Sequence, residues 1–198
     1  TPQVAGTPFA VSVSSAVDQY SNPASGIVTV SASTGGGNSP SGVTPSYEAI
    51  NVTTGSGGAN ATLVKTINTV LRGTVGSITS DTSTIVVSAG TQTKIILTSD
   101  KDDIDANGTE TATLTAQLQD ILGNNNLTSG VSIVFTSPRG TIVTSPVLTN
   151  GSGQAGTTFN SGTDINSGDV VVTASSGSLV VGTKTITFVD VTAPAVPV

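Results

Sequence analysis

The chain has 198 residues, 6 basic and 12 acidic side chains, a net charge of −6 and no His, Cys, Met or Trp. Without His or Cys it cannot assemble a Cys or His nucleophile or base, a Ser/His/Asp triad, or a zinc site of nitrogen and sulfur ligands. No basic patch forms, which argues against nucleic acid as a partner, and no apolar run approaches the ~20 residues of a membrane-spanning helix. Hydrophobic residues make up 35% of the chain and alternate with Ser, Thr and Gly. That is the composition of a secreted β-protein, since the apolar fraction can still build a core. A translated chain begins with Met, so its absence predicts a removed signal peptide or a segment of something longer.

Apolar residues recur with period 2, which predicts strands throughout. In chain order the first half offers "FAVSVSSAV", "GIVTVSAS", "EAINVTT", "ANATLVKTI", "TVLRGTVGSI" and "STIVVSA". The second half offers "KIILTS", "TATLTAQLQ", "GVSIVFTS", "SPVLTN", "QAGTTF", "DVVVTASSG" and "LVVGTKTITFV". Gly, Asn, Asp, Ser and Pro separate these runs at short spacing, and no stretch holds a helical period. Many short, evenly spaced strands predict an all-β antiparallel sandwich.

The two halves repeat one another. Asp18 and Asn22 align with Asp120 and Asn124, and "GIVTVSAS" aligns with "GVSIVFTS". "TTGSGGANATL" aligns with "TNGSGQAGTTF", placing Gly55, Gly57 and Ala59 on Gly151, Gly153 and Ala155, and "STIVVSA" aligns with "KTITFVD". The boundary falls near Gly90 to Thr93, giving domains at residues 1–91 and 92–190 and a Pro-rich tail at 191–198.

The stretch "TKIILTSDKDDIDANGTETATLTAQLQDILGNN", with "GVSIVFTS" and "LTNGSGQAGTTF" after it, resembles the bacterial Ig-like repeats of the invasin and intimin family. The first half, through "AGTPFAVSVSSAVDQYSNP", resembles a sister Ig-like domain of prokaryotic surface proteins. The resemblance implies two tandem immunoglobulin-like β-sandwiches in a stalk, spacer, adhesin or filament subunit at the cell surface.

The second copy has "KIILTS" ahead of its alternating strand, whereas the first has only "TPQVAG". Six residues restricted by X-Pro steps are too few for strand, turn and return, so the first domain is expected to lack its own first strand. The tail "DVTAPAVPV" is expected to be extended, and its prolines would confine it to an edge position. Joined head to tail, it supplies the missing strand, either from a neighbouring subunit by strand complementation or from a preceding domain of one long polypeptide. Both routes give a linear array, since a heterologous contact that does not close makes a fibre. The residues expected to carry polymerisation are Val191, Ala193, Val196 and Val198 of the tail and Val4, Phe9 and Val11 of the acceptor. The alternative is that the first domain does without that strand and the tail is a linker.

Asp103, Asp105, Asn107 and Gly108 match the opening of a calcium loop, but Leu114 stands where the closing bidentate Glu belongs. Glu110 is the substitute, which makes calcium a candidate ligand. A solvated turn between the first two strands is the competing reading. Asp18 and Asp120 read as turn residues that accept local backbone N–H groups. Asn51, Asn60, Asn107, Asn126 and Asn150 begin N-x-S/T sequons, which permit glycosylation. The Gly-rich runs "GGGNSPSG" and "TTGSGGAN" read as loop tips, and Tyr20, Phe9, Phe135, Phe159 and Phe188 as core or corner residues. The expected function is therefore non-enzymatic, with no cofactor beyond calcium. It is a subunit of an extracellular filament or pilus whose main partner is a copy of itself. The alternative is stalk repeats of a large adhesin or surface-layer protein, with a host or neighbouring-cell surface as partner.

Overall fold

Side chains alternate between the two faces of a strand, so an amphipathic run folds by laying its apolar face on another sheet. The computed structural model describes residues 2–164 and 166–190. Among these there are strands and no helix. The chain divides into two units. The first is Thr1–Gly90 with Ile121–Asn124, and the second is Thr91–Asp120 with Asn125–Val198.

The first unit contains β1 (Gln3–Val4), β2 (Phe9–Val13), β3 (Gly26–Thr34), β4 (Ser46–Tyr47), β5 (Ile50–Val52), β6 (Gly57–Thr62), β7 (Val70–Val75), β8 (Ile78–Asp81) and β9 (Val87–Ser88). They form sheets of order β2-β6-β4 and β5-β3-β7-β8, with β1 pairing β9 in parallel. Ala5, Ala61, Leu63, Leu71 and Val87 form its buried core, against which Phe9, Val11, Val30, Tyr47 and Ile85 pack while only partly buried.

The second unit contains β10 (Gln92–Ser99), β11 (Asp103–Asp105), β12 (Thr111–Asp120), β13 (Ser132–Thr136), β14 (Thr141–Ile142), β15 (Val147–Leu148), β16 (Gln154–Asn160), β17 (Gly168–Ser175) and β18 (Gly182–Val189). One sheet runs β10-β12-β16-β14 and the other β11-β18-β17-β13-β15. One core cluster draws on both sheets and includes Ile95, Leu114, Leu118, Phe135, Phe159, Val172, Ile186 and Phe188. Phe159 on β16 and Phe188 on β18 stack across the sandwich at a centroid distance of 5.8 Å. This is an all-β, Ig-like architecture of two sandwiches.

Several sequence expectations change. "TVLRGTVGSI" is not one strand but the hairpin β7–β8, which turns at Gly76 with φ 58°. "STIVVSA" contributes only β9 and an isolated bridge of Ile85 to Thr69. The acidic stretch is not simply a turn, because β11 pairs in parallel with β18. The alignment of "GIVTVSAS" on "GVSIVFTS" is one residue out of step. It places Val30, which packs on the first core, opposite Val134, which is exposed on the outer face of its sheet. A slip of one residue moves a whole strand's side chains to the other face. Tyr20 is exposed rather than a core residue.

The repeated Gly-x-Ala step has a steric cause. A Cβ on Gly57 would lie 2.3 Å from the Asn51 carbonyl oxygen, and one on Gly153 would lie 1.8 Å from that of Asn126. Only glycine allows the backbone to pass so closely.

Candidate functional site

Matching the units strand by strand locates what differs between them. β2 pairs with β6 so that Val11 lies opposite Ala59, and β12 pairs with β16 so that Ala116 lies opposite Ala155. Val11 therefore corresponds to Ala116, Val13 to Leu118 and Phe9 to Leu114. Likewise β1 on β9 corresponds to β11 on β18, both parallel. The Ala5 N–H donates to the Ser88 carbonyl at 2.9 Å, as the Ala106 N–H donates to that of Val189 at 2.8 Å. Gln3–Val4 thus forms a two-residue strand, the counterpart of β11, within a segment expected to be too short for strand, turn and return. The element without a counterpart in the first unit, among the described residues, is β10.

In the second unit β10 covers one edge of β12, with Ile95 opposite Leu118 and Leu97 opposite Ala116. The inward side chains Leu114, Ala116 and Leu118 are at most 1% exposed. On β2 the equivalent Phe9, Val11 and Val13 are only partly buried. The hydrogen-bonding direction of β2 follows from its partner β6. The Glu48 N–H donates to the Asn60 carbonyl at 3.0 Å, so Asn60 directs its backbone toward β4 and its neighbours Ala59 and Ala61 direct theirs toward β2. In an antiparallel ladder alternate residues point to alternate sides. Phe9, Val11 and Val13 thus bond β6, while Ala10 and Ser12 present their N–H and C=O groups at the outer edge, where no strand pairs with them among the described residues. An edge of this kind is a ready template for another strand.

The remaining predicted sites fall as follows. Val4 is exposed on β1, and Phe9 and Val11 lie side by side on the inner face of β2. Val191, Ala193, Val196 and Val198 lie outside the described residues. In the acidic loop, Glu110 is already engaged: one oxygen accepts from Lys101 Nζ at 2.7 Å and the other from the Asp105 N–H at 2.6 Å. The Lys101 hydrogen bond is the main cause holding the Glu110 carboxyl below its usual range. Asn107 Oδ1 accepts from the Thr109 and Glu110 N–H groups, capping the turn. Among the described residues no group of three or more acidic, His or Cys side chains gathers to hold a metal. Asp18 Oδ1 accepts from the Tyr20 and Asn22 N–H groups at 2.8 and 2.9 Å, and its carboxyl is depressed chiefly by the Asn22 bond. Asp120, expected as a turn residue, is buried at the end of β12 opposite Gln92, directly before the turn at 121–123. Of the sequons, Asn51, Asn60, Asn107 and Asn150 are exposed and Asn126 is buried. A shallow cavity of about 320 Å³ lies along Pro2, Gln3 and Ser83–Val86 and is lined by no titratable side chain.

Residues 94–189 match the family model of the bacterial Ig-like domain, group 1. The match spans nearly all of the second unit. Among curated proteins none matches the chain. Among solved structures, the D00–D0 domains of intimin share 23% identity over 68% of this chain and 72% of that one, with a TM-score of 0.47. The D0–D1 domains of intimin share 16% over 94% and 93%, with a TM-score of 0.43. A glycosyl hydrolase family 2 member from Bacteroides cellulosilyticus shares 20% over 96% of this chain but only 24% of its own, with a TM-score of 0.50. At these identities the likeness concerns the fold.

Proposed function

We propose that the chain is a structural segment of an extracellular surface array, built from Ig-like modules joined head to tail. Its finer form is a filament in which the sheet of each first unit is completed by a strand from outside that unit. The observation that carries this reading is the outer edge of β2, with half-buried Phe9, Val11 and Val13 where β12 has fully buried side chains. The bacterial Ig-like character of the second unit, the Ser/Thr/Gly-rich composition and the low charge support a surface location. Its partner is a copy of itself, and host or neighbouring-cell surfaces are met by the array as a whole. A second reading is a stalk within one long adhesin. It is favoured by β10 following β9 directly in sequence, so that one module leads covalently into the first strand of the next.

The mass of the native polypeptide separates the two. A value near 19.4 kDa makes the chain a filament subunit, and a far larger one makes it stalk repeats. A native protein found as an intracellular monomer would defeat both.

A further inference from the structure

Resting on the array reading above, we propose that the outer edge of β2 is a strand-accepting site and that its occupant is the segment 191–198 of a second copy of this chain. The second unit supplies the template. The Ile95 N–H donates to the Val180 carbonyl, away from β12, whereas the Asp100 N–H donates to the Thr113 carbonyl of β12. Even-numbered residues of that run thus carry the ladder to β12. The inward-facing odd residues Ile95 and Leu97 carry apolar cover and leave β12 no N–H. A strand on β2 therefore needs apolar side chains at every second position and tolerates proline at those same positions.

The tail has this pattern. Pro194, Val196 and Val198 share one parity. The register that uses them places Pro194 opposite Val13, Val196 opposite Val11 and Val198 opposite Phe9. Pro194 then lacks only an N–H that would point away from β2, while Pro197, opposite Ala10, gives up one ladder bond. The order of the chain points the same way. β9 ends at Ser88 and β10 begins at Gln92, completing the sheet of the module that follows. Segment 191–198 stands in the same position after β18, which ends at Val189.

The test grafts residues 191–198, with a Ser-Gly linker, ahead of Thr1 in a chain that stops at Asp190, so that the strand is offered in cis. Hydrogen exchange by NMR reads the Ala10 and Ser12 amides, expected to slow by about ten-fold or more relative to the ungrafted chain ending at Asp190. Electron microscopy of the full chain is expected to reveal linear oligomers that V196D/V198D abolishes, with exchange at β12 and β17 unchanged. Unaltered exchange at Ala10 and Ser12 in the grafted chain would overturn the site. Oligomers that persist in V196D/V198D would leave the array reading standing and overturn this occupant. Protection in the grafted chain with no assembly of the full chain would likewise overturn the second copy as donor.

Discussion

Replacing Phe159 by alanine removes one of the three buried phenylalanine rings of the second sandwich. Phe159 is 0% exposed and stacks on Phe188 at 5.8 Å. A buried aromatic removes roughly 150–250 Å² from water, worth about 4–6 kcal/mol at ~25 cal/mol per Å², part of which alanine retains. The cavity left behind and the lost ring pair act in the opposite direction, and Phe→Ala changes in cores cost about 3–5 kcal/mol. The expected loss is therefore about 4 kcal/mol, or roughly 16–30 °C in the melting of a unit near 100 residues. Urea titration followed by hydrogen exchange at β12 and β18 measures it within that unit. The same substitution at Phe9, on the uncovered strand β2, removes a ring that is only partly buried and should cost about 1–2 kcal/mol in the chain alone. A Phe159→Ala loss below ~1 kcal/mol, or equal losses at the two sites, would refute the reasoning that the first sandwich is less completely covered than the second.

Three further outcomes follow from named contacts. Arg139 Nε donates to Asp164 at 2.6 Å and holds that carboxyl well below the usual carboxylate range. A depressed folded value contributes stability above the unfolded pKa of about 3.9, and that stability is lost as pH falls through the folded value. Asp164→Asn should thus be less stable than the parent at pH 6, with the gap closing under strong acid; a gap that stays constant with pH would contradict this. Because Lys101 and the Asp105 N–H occupy both Glu110 oxygens, millimolar calcium should leave the melting temperature of the second unit unchanged. A rise of several degrees that EDTA reverses would mean that the loop rearranges to bind the ion. In native material any N-glycan should sit on Asn51, Asn60, Asn107 or Asn150, and glycopeptide mass spectrometry finding one on the buried Asn126 would contradict the fold around β12.

The second unit was legible in the sequence because both signals there are strong. Its strands alternate cleanly, as in the exposed-then-buried series of Thr111–Asp120, and its turns carry the Asp and Gly that fix them. The first unit carries weaker signals. Its strands are short and its core small, so Gln3–Val4 and Val87–Ser88 carry too few residues for any periodicity. Parallel pairs such as β11 on β18 are set by tertiary packing, and Asp103–Asp105 offers one buried apolar side chain, Ile104, between two carboxylates. The slip between Val30 and Val134 arose because both strands are rich in Val and Ser, and composition alone does not fix parity. The unequal start of the two copies was visible as a shortage of residues. Which edge is left open depends on the pairing of β2 with β6, a long-range contact that no local pattern encodes.

The most direct measurement is a density map of the native surface material at a resolution that traces backbone. The account predicts an additional strand running antiparallel along the outer edge of β2, bonded to Ala10 and Ser12 and covering Phe9, Val11 and Val13. An intact array in which that edge faces only water would contradict it.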